Sequence, residues 1–492
     1  MKNKTVYFIT GSQDLYGEET LRQVAADGKV IADYLNRASG NPVTFVYKDV
    51  VKNSAQIEAV CKAANNDGAC VGVIAWMHTF SPAKMWVHGL LALQKPLLHL
   101  HTQANEKLPY ESIDMDFMNL NQAAHGDREF GFIGSRLRLR RKVAVGYYKD
   151  ETTLAEVFAW ARSAAAFAFS RTLKVARFGD NMRSVAVTEG DKIEAHVKLG
   201  WTVDYYGVGD LTAEIGKVTA KETDALYAEY KTLYAINTPD VDAVKEQAKY
   251  EIAIKRFLDA GGYKAFTTNF EDLHGLKQLP GLAVQRLMAQ GYGFGGEGDW
   301  KTAALDAVFM YRSDGLKGAT GFMEDYTYDL TAGKELVLGA HMLEVSPAFA
   351  ATKPAIEVHP LGIGGKDAPA RLVFDGVTGD GVAATIVDMG GRFRLIAAEI
   401  ELVKQPQPMP KLPVARVMWK LKPDFKTGAA AWIYAGGAHH TVVTTQSGTA
   451  DFIDFAKMCD IELVSINGKT DIRAFENKLL LGDAVWNIRA AR

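Results

Sequence analysis

Apolar and polar positions in the first third of the chain alternate between two periods. Residues 5–10, 43–51, 70–76 and 96–101 are compact apolar runs of strand length, and residues 18–36, 54–64 and 82–93 between them carry apolar positions at helical spacing. Strand and helix alternating at this interval predict βαβ units and a parallel sheet. Ligands of such sheets bind beyond the carboxyl ends of the strands. That places interest on the loops Gly11-Ser-Gln-Asp-Leu-Tyr-Gly17, Met77-His-Thr-Phe-Ser81 and Leu100-His-Thr-Gln103. An alanine-rich helix over 152–170 leads into a second set of the same kind, with strands at 173–178, 202–208 and 263–269 and helices at 191–199, 220–234, 241–260 and 282–290.

From about residue 313 the pattern changes. Short runs at 322–330, 335–343, 356–361, 371–374, 381–388, 393–403, 413–419 and 431–435, broken by Gly and Pro, predict an antiparallel barrel or sandwich. A closing α/β piece follows, with a helix over 450–458, a strand over 462–466 and a helix over 472–481. The shifts divide the chain into an N-terminal α/β domain (1–172), a central α/β domain (173–316) and a C-terminal β domain (317–492).

One stretch falls outside both periods. Gly291-Tyr-Gly-Phe-Gly-Gly-Glu-Gly-Asp-Trp300 reads as a loop of little side-chain bulk, where backbone can approach a bound atom closely or adopt positive φ. Asp299 is placed to cap the helix that follows. Glu297, the charge-bearing side chain within the glycine run, then lies near the positive end of a helix dipole, which favours an ionised carboxylate able to bind a cation or take a proton. A plain loop-to-helix turn with a solvated glutamate fits the same residues.

Composition narrows the function classes. At 492 residues, 48% of them hydrophobic, the chain can bury large cores. A net charge of −2 argues against nucleic acid as a partner. Cys61, Cys70 and Cys459 are too scattered for a disulfide framework and fit a reducing compartment. No window approaches a membrane span, and the start runs straight into a strand, so a cytoplasmic globular protein is expected. The Gly11–Gly17 loop lacks the dinucleotide spacing, so no nicotinamide cofactor is expected; Gln13 there can hydrogen-bond a polyhydroxylated ligand or its own backbone.

Beyond Glu297, three places carry candidate chemistry. Phe322-Met-Glu324-Asp-Tyr-Thr-Tyr328 puts a carboxylate at the start of a strand, Leu338-Gly-Ala-His341-Met-Leu-Glu344 puts a histidine in the next, and Gly436-Gly-Ala-His439-His440-Thr-Val-Val443 offers a histidine pair. Two carboxylates and two imidazoles without cysteine suit Mn²⁺, Co²⁺, Fe²⁺ or Zn²⁺. Neighbours in a strand point to opposite faces, so His439 and His440 cannot share a site unless the backbone breaks there. Taken alone, a buried histidine at a strand crossing is more often a hydrogen-bonded core residue than a ligand, and the Glu324-Asp325 pair is equally read as strand-end charge.

Several of these motifs, in order along the chain, together resemble the bacterial L-arabinose isomerases: the Gly11–Gly17 start, Phe-Gly-Gly-Glu297-Gly-Asp-Trp-Lys-Thr, Phe-Met-Glu324-Asp-Tyr-Thr-Tyr, His341-Met-Leu-Glu-Val, His359-Pro-Leu-Gly-Ile-Gly-Gly365 and Ala-Gly-Gly-Ala-His-His440-Thr. The resemblance implies two flavodoxin-like parallel-sheet domains, a C-terminal mainly antiparallel β-barrel and a homohexamer with active sites at subunit interfaces. It implies one Mn²⁺ per subunit, replaceable by Co²⁺, held by Glu297, Glu324, His341 and His440, with the two glutamates also the acid–base pair. It implies a sugar pocket lined by Gln13, Leu15, Met182, Phe270 and Ile363, with His125 lent across a subunit boundary.

The expected reaction is L-arabinose to L-ribulose, with D-galactose to D-tagatose as a companion, by proton transfer through a cis-enediol. A metal-assisted hydride shift is a rival route. A metal-dependent hydrolase, or a sugar-binding protein with a structural metal, are the alternatives from other classes.

Overall fold

The computed structural model describes Met1 and residues 3–490, and divides them into two compact units, Met1–Ala168 and Phe169–Arg492. In the first unit β1 (Thr5–Gly11), β2 (Thr44–Tyr47), β3 (Cys70–Met77), β4 (Leu97–His101) and β5 (Arg141–Val145) form one parallel sheet in the order β2-β1-β3-β4-β5. This is the flavodoxin-like doubly wound order. Every residue of β3 is buried, as expected of a central parallel strand covered on both faces. β5 and the helix Ala123–Arg136 are absent from the periodicity reading; Arg141 and Lys142 give β5 a polar start.

The second unit opens with β6 (Lys174–Phe178) and β7 (Thr202–Tyr206). A two-residue β8 (Ala235–Ile236) leaves this sheet for a small one farther on, and β9 (Ala265–Thr268) and β10 (Gly293–Gly295) complete a parallel sheet in the order β10-β9-β6-β7. Part of the glycine-rich stretch is therefore an edge strand rather than loop throughout. Gly-Phe-Gly has no strand propensity of its own, and pairing with β9 decides it.

The C-terminal strands are β11 (Thr320–Asp329), β12 (Leu336–Ala340), β13 (Ala355–Val358), β14 (Ala370–Val373), β15 (Gly379–Asp388), β16 (Phe393–Val403), β17 (Val417–Leu421), β18 (His440–Thr444) and β19 (Glu462–Ile466). Antiparallel pairing runs β15-β18-β11-β12-β17-β16, and β16 pairs back to β15, so six strands close a barrel; β19 adds to β16 in parallel. Closure leaves those six strands no open edge. β14, β13 and β8 form the small sheet.

The run at 431–435, expected as a strand, lies in the helix Phe425–Tyr434. Short apolar runs are ambiguous between helix and strand. Here Asp424, accepting the Thr427 N–H, and the alanines that follow settle it as helix. β18 was not among the expected strands.

Two cores matter for the site. Met323, Val337, Ile400, Trp419 and Val443 fill the barrel. Phe178, Phe266, Phe294, Phe322 and Leu343 form a second core shared by the β6–β10 sheet and the first residues of β11. Of the candidate carboxylates, Glu297 follows the end of β10 and Glu324 lies within β11, next to this shared core.

Candidate functional site

Glu297 follows β10 by two residues. Its φ is 61°, in the left-handed region, where a non-glycine residue costs about 1–3 kcal/mol and persists only if its surroundings hold it. They do: the Glu297 carbonyl accepts the Met182 N–H at 2.9 Å. Gly298 beside it has φ +81°, and a Cβ there would lie 2.6 Å from the Asp180 carbonyl oxygen, so no side chain fits. Asp299 then caps the helix Trp300–Arg312 through the Thr302 N–H.

The barrel supplies the rest. Glu324 on β11 pairs with His440 on β18 and with Ala340 on β12, and His341 is the residue after Ala340. His341 thus terminates β12 instead of lying inside a strand reaching to residue 343.

Two histidines are held alike. His341 Nδ1 lies 2.6 Å from Glu344 Oε2, and His440 Nδ1 lies 3.2 Å from Asp299 Oδ2. A carboxylate on Nδ1 fixes the tautomer and presents Nε2 as a lone pair. His341 Nε2 is 4.0 Å from Glu324 and His440 Nε2 is 3.8 Å from Glu297. The Phe322 ring packs edge-on against both imidazoles, with centroids 4.9 and 5.2 Å away.

His439 Nε2 also reaches Glu297, at 3.6 Å. Both members of the histidine pair therefore face one carboxylate. The alternation argument does not apply because β18 begins at His440 and His439 lies outside it.

Charge is balanced within the cluster. Burial pushes the Glu297 carboxyl up, but its hydrogen bond to His439 and the fields of His440 and His341 outweigh it, and the net direction is down. Burial likewise opposes ionisation of Asp299, yet Lys301 and His440 hold it well below the usual carboxylate range. Burial lowers His341, while Glu344, Glu324 and Glu297 together raise it above its ordinary value.

The donor set fits a divalent cation. Ligand atoms of Glu297, His439 and His440 lie within 4.8 Å of one another. His440 Nε2 is buried with no hydrogen-bond partner, a state costing about 1–3 kcal/mol unless something binds there. A small cavity alongside is lined by Thr268, Phe270, Glu297, His341 and Glu344 among others. Phe270 thus borders the site and Met182 bonds its backbone, whereas Ile363 is exposed in the loop after β13.

Gln13, Leu15 and His125 belong to the first unit. Gln13 Nε2 donates to the Phe80 carbonyl at 3.2 Å, and the Phe80 ring stacks on His125, so the loops after β1 and β3 meet the helix Ala123–Arg136 at the carboxyl end of the sheet. Asp127 on that helix takes His99 on one oxygen and His101 on the other, each at 2.7 Å, which pins the helix to β4. Leu15 is 81% exposed.

Sequence reasoning gave no role to Glu344 or Phe322 and none beyond helix capping to Asp299. The His-x-x-Glu spacing carries a faint signal for the first, and Asp299 shows only as a helix cap; nothing in the sequence marks Phe322.

Comparison with known proteins covers all three parts of the chain. Family models for the L-arabinose isomerase N-terminal, central and C-terminal domains match residues 1–172, 174–315 and 319–462. A Clostridium beijerinckii protein named L-arabinose isomerase is 56% identical over 487 residues, 99% of each chain. Proteins of the same name from Geobacillus kaustophilus and Geobacillus stearothermophilus are 55% and 56% identical over 489 residues, 98% of each chain. No helix among the described residues is long and apolar enough to cross a membrane. The chain therefore belongs to the L-arabinose isomerase family, intramolecular oxidoreductases that interconvert aldose and ketose sugars.

Proposed function

We propose that this enzyme converts L-arabinose to L-ribulose by proton transfer through a cis-enediol, with Glu297 and Glu324 as the acid–base pair and a divalent cation, Mn²⁺ or Co²⁺, as cofactor. The observation that supports this most is the pair of carboxylate-anchored histidines whose Nε2 atoms face the two glutamates. Glu297, Glu324, His341 and His440 would hold the cation, which when bound supplies Lewis-acid stabilisation of negative charge developing on the sugar oxygens. One glutamate takes the proton from C2 and returns it to C1, and the other moves a proton between O1 and O2.

D-Galactose shares the C2–C4 configuration of L-arabinose, and its conversion to D-tagatose belongs to the same proposal. So do sugar contacts by Gln13, Leu15, His125, Met182, Phe270 and Ile363, and a homohexamer with active sites at subunit interfaces. The three cysteines are free and buried, which fits a cytoplasmic location.

The test is ketose formation from L-arabinose with EDTA and after Mn²⁺ is restored, repeated in D₂O. Metal-dependent turnover with solvent deuterium entering the transferred position is expected. Turnover without deuterium entry would favour a hydride shift, and hydrolysis of an ester or phosphate without ketose would point to another enzyme class.

A further inference from the structure

Asp306 lies fully buried on the helix Trp300–Arg312, two turns beyond the capping residue Asp299 and on the same helix face. The proposed chemistry makes no use of it. Its Oδ2 accepts the Phe294 N–H at 3.1 Å, and Oδ1 has no hydrogen-bond partner.

Phe294 is the middle residue of β10, where the parallel sheet ends. The Gly293 N–H donates toward β9, to the Lys264 carbonyl. The next N–H along a strand turns to the opposite side, so that of Phe294 faces an edge with no further ladder to receive it. The helix lies against the face of β10 at very short range, a Cβ on Gly295 standing 2.3 Å from the Asp299 carbonyl oxygen, and from it the Asp306 side chain reaches the edge N–H. The Phe294 ring meets the Phe322 ring edge-on at 5.4 Å, and Phe322 in turn touches the rings of His341 and His440. One carboxyl thus sits where β10, on its way to Glu297, and β11, on its way to Glu324, come together.

Burial pushes Asp306 up to about 8, with the Phe294 and Phe322 N–H groups opposing only in part. Burial thus favours the uncharged acid, whose carbonyl oxygen still accepts the Phe294 N–H. An apolar residue would fill the same space at no desolvation cost, but would leave a buried N–H orphaned.

Building on the isomerase reading above, we propose that Asp306 is a positioning residue for the acid–base carboxylates. It fixes the open edge of β10 and, through that strand and Phe322, the approach of Glu297 to the two histidines. The informative variants are Asp306→Asn, which keeps shape and acceptor, and Asp306→Val, which keeps bulk without an acceptor. Asp306→Ser, too short to reach Phe294, replaces the valine variant if that one fails to fold.

Mn²⁺ affinity by calorimetry, and kcat and KM for L-arabinose, are measured on folded protein well below its melting temperature. The asparagine variant should stay within about threefold of wild type in kcat and Mn²⁺ affinity. The valine or serine variant should lose about tenfold or more in both, with kcat falling more than KM rises, at the lower end of what groups supporting metal ligands contribute. A valine or serine variant with wild-type kcat and Mn²⁺ affinity, whatever its melting temperature, would overturn the proposal, as would an asparagine variant as impaired as valine. If wild type itself made no ketose, the functional reading would fail separately, and the Mn²⁺ comparison would still decide the role of Asp306.

Discussion

Glu324 and His440 stand opposite each other on antiparallel β11 and β18, with their side chains on the same face of the barrel wall. Closure of the barrel places this pair, and His341 on the other flank of β11 is placed by the β11–β12 register. Glu297 arrives from a different sheet, on a loop whose backbone is held in the left-handed region. The candidate centre thus combines a rigid wall with one constrained loop residue, and each of these attachments can be tested.

Replacing either glutamate by glutamine keeps volume and removes the proton acceptor. Glu297→Gln and Glu324→Gln should each lower kcat by ~10²–10⁴-fold, the usual worth of a general acid–base group. Circular dichroism and melting temperature should change little. Ketose formation within a few-fold of wild type in either variant would remove that residue from the mechanism.

Chelation should abolish turnover, and Mn²⁺ or Co²⁺ should restore it. A ligand that binds only the native state adds about 2.7 kcal/mol of stability at one hundred times its dissociation constant. The melting temperature of EDTA-treated enzyme should therefore climb as Mn²⁺ is added. Full activity after exhaustive chelation, with residual metal checked by elemental analysis, would contradict the assignment.

The pH dependence of the metal-free protein has a definite sign. His439 is raised chiefly by its hydrogen bond to Glu297, and His341 is raised, despite burial, by Glu344, Glu324 and Glu297, both from an ordinary 6.5. Stability from a raised histidine is fully present below its unfolded value and fades as pH climbs through the folded one. Thermal stability of the metal-free enzyme should fall as pH rises above about 6.5, while Mn²⁺ affinity should increase over the same span, because imidazole must shed its proton to bind metal. Melting curves and Mn²⁺ titrations at several pH values check both, and a flat profile in each would show that these histidines are not in the proposed state.

Asp299 joins three contacts: the helix cap, Lys301 and His440 Nδ1. Asp299→Asn keeps an acceptor for the cap but weakens the hold on the His440 tautomer. A loss of 10- to 100-fold in Mn²⁺ affinity is expected, with thermal stability falling by about 3–5 kcal/mol because the buried Lys301 ammonium loses its charge partner. Calorimetric titration beside a thermal melt separates the two effects. Unchanged affinity would mean that Asp299 serves the helix alone.

What could be read in advance follows from how local each signal is. The apolar runs that mark β1, β3 and β16 and the apolar spacing of the helix Gly17–Arg37 are properties of neighbouring residues, and they survive in the folded chain. β10 and β5 escaped because an edge strand made of Gly-Phe-Gly, or opened by Arg141 and Lys142, owes its form to the strand beside it. The helix Phe425–Tyr434 was mistaken for strand because a short apolar run satisfies either period until its cap is weighed.

The amino-acid order by itself determined which residue types were available: two glutamates, isolated histidines, a glycine-rich approach and a family likeness that named the four candidate ligands. Only the tertiary structure decided their partners. Glu344 lies three residues from the imidazole it fixes, but that Asp299 fixes His440, that His439 turns to Glu297 beside it, and that Asp306 takes the unpaired N–H at the edge of β10 depend on separate segments coming together. Such contacts arise from barrel closure and from the packing of one sheet against it, and no window of neighbouring residues contains that information.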